Sequence, residues 1–388
     1  MFYPSFCPNP ACVYHSPKIL KNSTLLVPFV RIGTYYTQVV GHVPRYRCKA
    51  CGKTFGIRTF QLDYYTKRSL PYHSLHQALY SGQNLSSIAR LLHCSPASIQ
   101  NRIDRLSRNT LLIHQHCLRT HRLTEDLAAD GYERFDRNQY FPNNINLTVG
   151  KDSQFVYGIS HATIRRKGSM RSEQKAKRKV LESQWKPPRG ALSDSFSFLI
   201  QDLSTFWEPS FHPKLTLYTD EHPAYPPALR KVPFLKEALT LKQFSHTQIS
   251  SKLPRTVCNP LFPSNYIDRE LTKDIAAYHR ESVCFVRNVN NGLSRLLCYL
   301  LYHNYQKPYR IHWGAIRFPS HAQVAGIPLE RFKKKLEQVY VERFFLTHEP
   351  LTPLWEALWF RRYKTPLKKK EEYLPKYAFR GYTQGSIK

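Results

Sequence analysis

The alternation of apolar and polar residues is clearest between Leu215 and Asp220, in the sequence LTLYTD. A period of two over six residues rich in β-forming types predicts a strand with two different faces. The strand is predicted to end at Asp220, because a proline-rich turn follows it at 223–227. An acidic side chain at the end of a central strand is held on a fixed backbone, which suits a metal ligand. A surface aspartate that caps the next helix is the alternative.

Other segments also have the pattern of strands, and their order predicts a mixed sheet. DLAAD predicts a first strand whose far end is Asp130, with a glycine turn after it. NINLTVG and QFVYGISHAT predict the next two strands of a meander, and EALTLKQFSH predicts a strand after Asp220. A strand with an aspartate, two more strands, a helical region and a strand ending in Asp220 is the order of a ribonuclease H-like α/β fold. In that fold the two aspartates lie side by side on neighbouring strands.

Helical periodicity precedes these strands. SLPYHSLHQALYSG predicts a helix ended by Gly82, and apolar residues spaced i, i+3, i+4 and i+7 from Leu85 predict a short second helix. Ser95 can cap a third helix with Pro96 at its first position. The short turn predicts a helix-turn-helix over 68–115, with a plain helical hairpin as the alternative. Its outer residues are of types that read DNA grooves or contact phosphates, namely Ser98, Gln100, Asn101, Arg102 and Arg105.

Two cysteine pairs lie at the beginning of the chain. Cys7 and Cys12 form the first pair, and Cys48 and Cys51, followed by Gly-Lys-Thr-Phe, form the second. Two thiolate pairs brought together make a tetrahedral structural site for Zn²⁺. The segments LLVPFVRI and YYTQVVG between them predict the strands of a zinc ribbon. His15 and His42 are alternative ligands, and four unrelated buried thiols are the alternative to a metal site.

The charge balance of the chain points to a polyanionic partner. The 388 residues carry 58 Lys and Arg against 27 Asp and Glu, a net charge of +31 spread along the whole sequence. Neutralisation of phosphates by such a surface releases counterions and drives binding to DNA. No apolar run approaches 18 residues and no lipidation signal is present, so a membrane partner is not expected. The beginning of the chain does not resemble a signal peptide, and a cytoplasmic, nucleoid-associated location is expected.

A basic segment at about 163–192 separates the first three predicted strands from the strand that ends in Asp220. Its cations begin with Arg165, Arg166 and Lys167. We expect this segment to follow a DNA backbone beside the site; a solvated helix face is the alternative.

A long helical pattern after residues 263–265 supplies further acids. Asp268 and Glu270 lie in its first turns and face differently, because they are two residues apart. We expect one of them to join Asp130 and Asp220. Three carboxylates of this kind can hold two Mg²⁺ or Mn²⁺ ions about 4 Å apart, which activate an attacking oxygen and stabilise the leaving oxygen of a phosphodiester.

The order of these modules resembles a bacterial insertion-sequence transposase of the DDE type, with an N-terminal zinc ribbon and a helix-turn-helix. The resemblance is carried by DGYERF, QYFPNNINLTVG, RRKGSM, LYTDEHPAY and the segment from NYIDRE to LLYHNY, and it extends to about residue 345. It implies Asp130 and Asp220 as the first two acids. It also implies that the protein binds element ends and target DNA, cleaves a strand, and joins the freed 3′-hydroxyl to the target. Two ends must be joined, so a homodimer or larger assembly on DNA is expected.

The third acid departs from the pattern of such transposases, which often have Asn-x-x-Glu at the start of the last core helix. Here Asn265 is followed by Asp268, Glu270 is displaced by two residues, and Glu281 lies a few turns further on. The choice among the three stays open at this point. A catalytically inactive or domesticated DNA-binding regulator and a nuclease of the same fold are the alternative functions.

The predicted domains are a zinc ribbon over 1–62, the helix-turn-helix over 68–115, a catalytic core over 120–310, and a helical extension with a basic tail over 311–388. In the extension, Trp355, Trp359 and Phe360 are expected in a core or a subunit interface. The last residues, from about 363, are expected to form a partly disordered tail that contacts phosphates.

Overall fold

A small antiparallel sheet lies near the beginning of the chain. The structure is a computed structural model that describes residues 3–16, 27–279, 285–310 and 318–379. The sheet consists of β1 (Phe29–Thr37), β2 (Gly41–Cys48) and β3 (Thr54–Gly56), in the order β1-β2-β3. The predicted second strand, 35–41, is wrong, because 38–40 form the turn between β1 and β2. A register irregularity between Arg31 and Thr34 lets β1 continue past Gly33, which lies between the two predicted strand segments.

Three helices follow this small sheet. They are α1 (Tyr72–Tyr80), α2 (Leu85–Leu91) and α3 (Pro96–Thr120). The predicted cap of α3 is present, since the Ser95 hydroxyl accepts a hydrogen bond from the Ser98 backbone N–H at 3.2 Å. α3 has 25 residues and ends at Thr120, five residues beyond the predicted domain boundary at 115. It is buried along much of its length and is a central element of the fold.

A five-stranded mixed sheet forms the centre of the molecule. Its strands are β4 (Leu127–Phe135), β5 (Pro142–Gly150), β6 (Val156–Thr163), β7 (Leu215–Asp220) and β8 (Phe244–Ile249). The order across the sheet is β6-β5-β4-β7-β8. β4 to β6 form an antiparallel meander, and β7 and β8 run parallel to β4. β7 begins and ends at the residues that the alternation pattern predicted.

Gly131 does not make the turn that was predicted after Asp130. β4 continues through it to Phe135, and a Cβ atom at position 131 would lie 1.9 Å from Asn144 Nδ2 on β5. The glycine is therefore required by the side chain of a neighbouring strand. Asp130 consequently lies inside a strand with pairing on both sides of it along the chain, which holds its backbone more firmly than a strand end.

Helices connect and cover the strands of the central sheet. α4 (Ser172–Gln184) and α5 (Ala191–Gln201) lie between β6 and β7, and α6 (Tyr225–Arg230) and α7 (Pro233–Thr240) lie between β7 and β8. The predicted strand over 237–246 is therefore helical in its first half. Its alternation of apolar and polar residues is too short to separate a strand from a helix end, and the proline at the first position of α7 favours the helix.

The second half of the chain adds helices that pack on α3 and the sheet. They are α8 (Phe262–Asp274), α9 (Ala276–His279), α10 (Val289–Leu300), a π-helical continuation at Leu301–Gln306, α11 (His321–Val324), α12 (Lys333–Gln338) and α13 (Pro353–Trp359). One continuous hydrophobic core joins α1 to α3, the sheet and these helices. Trp355 and Trp359 are buried in it, as expected. No helix in the described part of the chain has both the length and the apolar character needed to cross a bilayer.

A buried ion network attaches the last described residues to α3. Asp104 accepts from Arg108 at 2.5 Å and from Arg361 at 2.6 Å, and Arg361 also contacts Glu372 at 2.9 Å. Burial acts to raise the pKa of Asp104, but the two arginines outweigh it and lower the pKa below its ordinary value. The prediction of a partly disordered tail from residue 363 is wrong as far as residue 379, because paired charges and aromatic contacts hold this segment against α3.

Candidate functional site

The four N-terminal cysteines lie together at one end of the small sheet. Cys7 and Cys12 precede β1, Cys48 ends β2, and Cys51 lies in the turn before β3. Gly52 makes this turn possible, because it adopts a φ of +68°, which favours glycine, and its N–H donates to the Cys48 carbonyl at 2.9 Å. All four Sγ atoms lie within 4.8 Å of one another. The predicted convergence of the two pairs is therefore confirmed.

The geometry of this cluster fits a tetrahedral metal ion. The Sγ atoms of Cys7 and Cys51 are 3.6 Å apart and those of Cys12 and Cys48 are 3.7 Å apart. Zn–S bonds of about 2.3 Å at tetrahedral angles give S···S separations of about 3.8 Å. Burial raises the pKa of Cys12 to about 11, so this thiol would bind as a thiolate only beside a cation. Burial also acts to raise the pKa of Cys51, but hydrogen bonds from Lys53, Asn9 and the neighbouring cysteines outweigh it and lower that pKa to about 7. The cluster can bind a metal ion such as zinc.

Neither alternative ligand joins the cluster. The two ring nitrogens of His15 already have partners, the Cys7 carbonyl and the Thr347 hydroxyl. His42 is the second residue of β2 and lies at the opposite end of this strand from Cys48, six residues or about 20 Å away. His15 instead links the cysteine cluster to the C-terminal extension.

Asp130 and Asp220 occupy neighbouring strands at matching heights. The parallel ladder pairs residues 127 and 128 of β4 with residues 217 and 218 of β7. Two residues beyond the last pair of this ladder, Asp130 and Asp220 occupy corresponding positions on the two strands. Burial, and then the charge of Asp220, raise the pKa of Asp130 to about 6. The part of β4 and β7 that bears Asp130 and Asp220 therefore concentrates negative charge where burial keeps water from screening it.

α8 brings Asp268, and not Glu270, into this electrostatic environment. Burial, and then the charge of Asp130, raise the pKa of Asp268 to about 8, against the opposing effect of Arg134. Glu270 forms ion pairs with Lys307 and, at 3.0 Å, with Lys273. Burial acts to raise the pKa of Glu270, but these lysines lower it below its ordinary value. Position 281 lies outside the described residues.

The three aspartates form a wider group than the cysteines. In the described ranges, the cysteine cluster is the only set of three or more possible ligand side chains whose ligand atoms all lie within 4.8 Å. A pair of divalent ions about 4 Å apart spans a wider site than one ion does. The ligand oxygens of Asp130, Asp220 and Asp268 therefore do not all lie within 4.8 Å of one another. Carboxylate oxygens are nevertheless the donor type that hard cations prefer.

Two side chains beside Asp268 have polar atoms without a protein partner among the described residues. They are Asn265 Nδ2 and Arg255 Nη1, both buried. Both residues line, with Asp268, an open cleft of about 710 Å³. Buried donors of this kind usually have a ligand or water to satisfy them. The Asn-x-x-Asp spacing had pointed to Asn265, whereas no sequence signal indicated Arg255.

In Mg²⁺-free buffer, Asp268→Asn is expected to melt several degrees above the wild type at pH 8.5 and at the same temperature near pH 4. The folded state binds the Asp268 proton more tightly than the unfolded state, so the wild type loses stability as pH rises from about 4 towards 8. Asparagine carries no charge and removes this loss. Thermal melting across this pH range measures it, with the exposed Asp152→Asn as control. Parallel pH profiles for the wild type and Asp268→Asn would contradict the charge coupling.

The arginines of the predicted DNA-reading face have partners inside the protein. Arg102 is 6% exposed, donates to the Arg68 carbonyl at 2.6 Å, and lies 3.3 Å from Asp63. Arg105 donates to two backbone carbonyls in the segment 62–64, at 2.7 and 2.9 Å. The chain between the small sheet and α1 therefore covers this part of α3.

The remaining residues of that face are also engaged. Gln100 Oε1 accepts from Arg295 at 3.1 Å, and Asn101 Oδ1 accepts from Arg105 at 3.0 Å. Ser98 is bonded to Ser95 at the start of α3. Helical periodicity identifies residues outside an apolar face, but it carries no information on whether another segment covers them. Their contact with DNA stays a prediction.

The first cations of the basic segment lie beside the sheet edge. Arg165 makes a two-point ion pair with Glu182 of α4, at 2.7 and 2.9 Å, and Arg166 donates to Gln139 at 2.9 Å. Lys167 is exposed. All three line an open cleft of about 930 Å³ that also reaches residues 133–135 of β4.

The comparisons with known proteins add no relative. No protein-family model matches the chain, and no curated protein matches it.

Proposed function

We propose that the protein is an enzyme that cuts and rejoins phosphodiester bonds in DNA, built on a ribonuclease H-like core. Within that class, we propose a DDE-type transposase of an insertion sequence. The observation that carries the proposal is the placement of Asp130 and Asp220 at matched heights on adjacent parallel strands, with Asp268 of α8 electrostatically coupled to Asp130.

The topology of the central sheet supports the ribonuclease H-like assignment. Numbered within the sheet, the strand order is 3-2-1-4-5, with an antiparallel meander followed by two strands parallel to the first. Ligands of open α/β sheets bind at the carboxyl ends of strands where the direction of chain connection reverses. β4 and β7 flank that point, and each bears one of the aspartates.

The donor set and its electrostatics fit divalent cations. Asp130, Asp220 and Asp268 would hold the ions through carboxylate oxygens, the donor type that Mg²⁺ prefers. Burial, and then the charge of a neighbouring aspartate, raise the pKa values of Asp130 and Asp268, and a bound dication would stabilise the ionised form of both carboxylates. Ions bound there would activate a water or hydroxyl nucleophile and stabilise the leaving oxygen.

The charge distribution around the acids supports DNA as the substrate. Basic side chains line the clefts on both sides of residues 133–134, including Arg255 and Arg269 on one side and Lys186 and Arg189 on the other. A duplex that crosses this edge would have phosphates near these cations and one phosphodiester near the acids.

The proposal is tested with the full-length protein, Mg²⁺, a plasmid target, and duplexes made from the DNA that flanks its gene, where the proposal expects terminal inverted repeats. We expect strand cleavage at the repeat boundary and covalent joining of the 3′ ends to the plasmid, detected on sequencing gels. A duplex with scrambled repeats is the control. Cleavage without joining would favour the nuclease alternative, and specific binding with neither step would favour the regulator.

A further inference from the structure

Another cavity lies at the end of the central sheet that bears the aspartates, on the side of β6. It has a volume of about 780 Å³, within the range of small-ligand sites, and lies between α5, the end of β6 and the segment after α13. Three aromatic side chains line it, namely Trp185, Phe198 and Tyr363. Four cations line it as well, namely Lys186, Lys231, Arg362 and Lys364. Lys231 is paired with Asp194, which also lines the cavity, and Arg362 is paired with Glu356, so Lys186 and Lys364 are the cations left for a ligand. Aromatic walls with several cations suit a flat, anionic ligand.

The walls of this cavity are held in place by buried contacts. Trp185 packs edge-on against Phe141 with ring centroids 5.4 Å apart. The backbone carbonyl of Tyr363 accepts from Asn290 at 2.7 Å, and its ring lies edge-on to His161 at 5.8 Å. These contacts position Trp185 and Tyr363 at the wall of the cavity.

One polar group at the cavity lacks a partner. The Tyr363 hydroxyl is buried and makes no hydrogen bond within the described part of the chain. Burial raises the pKa of this phenol, so it stays neutral and able to donate at physiological pH. A buried hydroxyl left unsatisfied is costly, and a ligand with acceptor atoms would remove that cost.

A basic path connects this cavity to the acidic site. The cleft of about 930 Å³ described above shares Lys186, Pro188 and Ala191 with the cavity. At its other end the same cleft reaches Glu133 and Arg134, which also line the cleft beside Asp268. A polyanionic strand can therefore pass from the cleft beside Asp268 to the aromatic cavity along clefts lined mostly by basic side chains, with Glu133 between them.

We propose that this cavity receives an unpaired nucleotide of the DNA strand that lies in the cleft. Its base would stack on the aromatic side chains, the Tyr363 hydroxyl would donate to it, and Lys186 and Lys364 would contact its phosphates. The inference rests on the proposed function, because it takes DNA as the substrate. Continuity with the cleft favours a nucleotide within a strand over a free nucleotide.

The test is a binding measurement in Mg²⁺-free buffer, where no strand is cut. Fluorescence anisotropy compares a blunt duplex with the same duplex carrying a short single-stranded 3′ extension that contains 2-aminopurine. The wild type is expected to bind the extended DNA about tenfold more tightly, as stacking of one base allows, and to quench the 2-aminopurine. Phe198→Ala is expected to lose most of both effects, whereas Tyr363→Phe, which keeps the ring and loses the hydroxyl, is expected to weaken binding of the extension while the quenching persists.

Phe211→Ala is the matched control, since Phe211 is an exposed aromatic residue that lines neither cleft. Tyr363→Phe and the surface variant Lys186→Ala are mild changes that are expected to leave the fold intact, and thermal melting of each variant checks this. Extension binding unchanged in both cavity variants would overturn the inference. Equally tight saturable binding of free dAMP would overturn its assignment to a DNA strand.

The two proposals fail separately. If the wild type cuts and joins DNA but the cavity variants bind the extension normally, only the nucleotide site is wrong. If the wild type shows no Mg²⁺-dependent chemistry but the preference for the extension depends on Phe198, the site stands and the transposase proposal is wrong.

Discussion

Asp130→Asn and Asp220→Asn are each expected to slow Mg²⁺-dependent cleavage and joining by on the order of 10³-fold or more. Losses of this size are typical when one member of a catalytic group is removed. Asparagine keeps the shape of the side chain but loses the charge that holds a dication. End-containing duplexes on sequencing gels measure cleavage, and anisotropy in Mg²⁺-free buffer measures binding. We expect binding to persist, because neither carboxylate attracts a polyanion.

The control for this pair is Asp152→Asn, an exposed aspartate in the turn between β5 and β6. It makes the same chemical change without touching the site, so its activity should match that of the wild type. Asp268→Asn should lose activity as well, whereas Glu270→Gln should retain it, because Glu270 is paired with lysines. Full activity in Asp130→Asn or Asp220→Asn would end the enzyme proposal.

Removal of a metal ion such as zinc from the cysteine cluster is expected to unfold the small N-terminal sheet while the central sheet stays folded. The local core there contains Tyr14, Phe29, Tyr46 and Phe55 besides cysteines, and β1 is exposed along most of its length. Structural Zn²⁺ contributes roughly 10–16 kcal/mol in small metal-dependent domains, far more than such a core supplies. Cys48→Ser should therefore lose the bound zinc, and limited proteolysis should cleave it within residues 27–56.

The measurement pairs metal content with proteolysis, and Cys258→Ser, an exposed cysteine outside the cluster, is the control. The loss should also loosen the C-terminal extension, because Phe6 packs on Phe345 at 5.0 Å and His15 bonds to Thr347. A Cys48→Ser protein that holds one zinc ion and resists protease like the wild type would contradict the structural role of the cluster.

Much of the local structure could be predicted from short-range patterns. The alternation at 215–220 and the Ser95-Pro96 cap depend on neighbouring residues only, and both agree with the structure. The cysteine pairs have the spacing that a tetrahedral ion requires, and their thiols converge. Failures occur where a distant segment decides, as at Gly131, which pairs with β5 inside a strand and is glycine because Asn144 of β5 fills the space that a Cβ would need.

The sequence by itself determined the strands that carry Asp130 and Asp220, the cysteine cluster, and the strong positive charge. These follow from periodicity, spacing and composition, which are properties of the chain before it folds. Only the tertiary structure decided that Asp268 is electrostatically coupled to Asp130 while Glu270 pairs with Lys307, and that Arg102 and Arg105 are covered by the chain before α1. The physical reason is that the direction of a side chain on a helix depends on which surface the helix packs against, and non-local contacts set that surface.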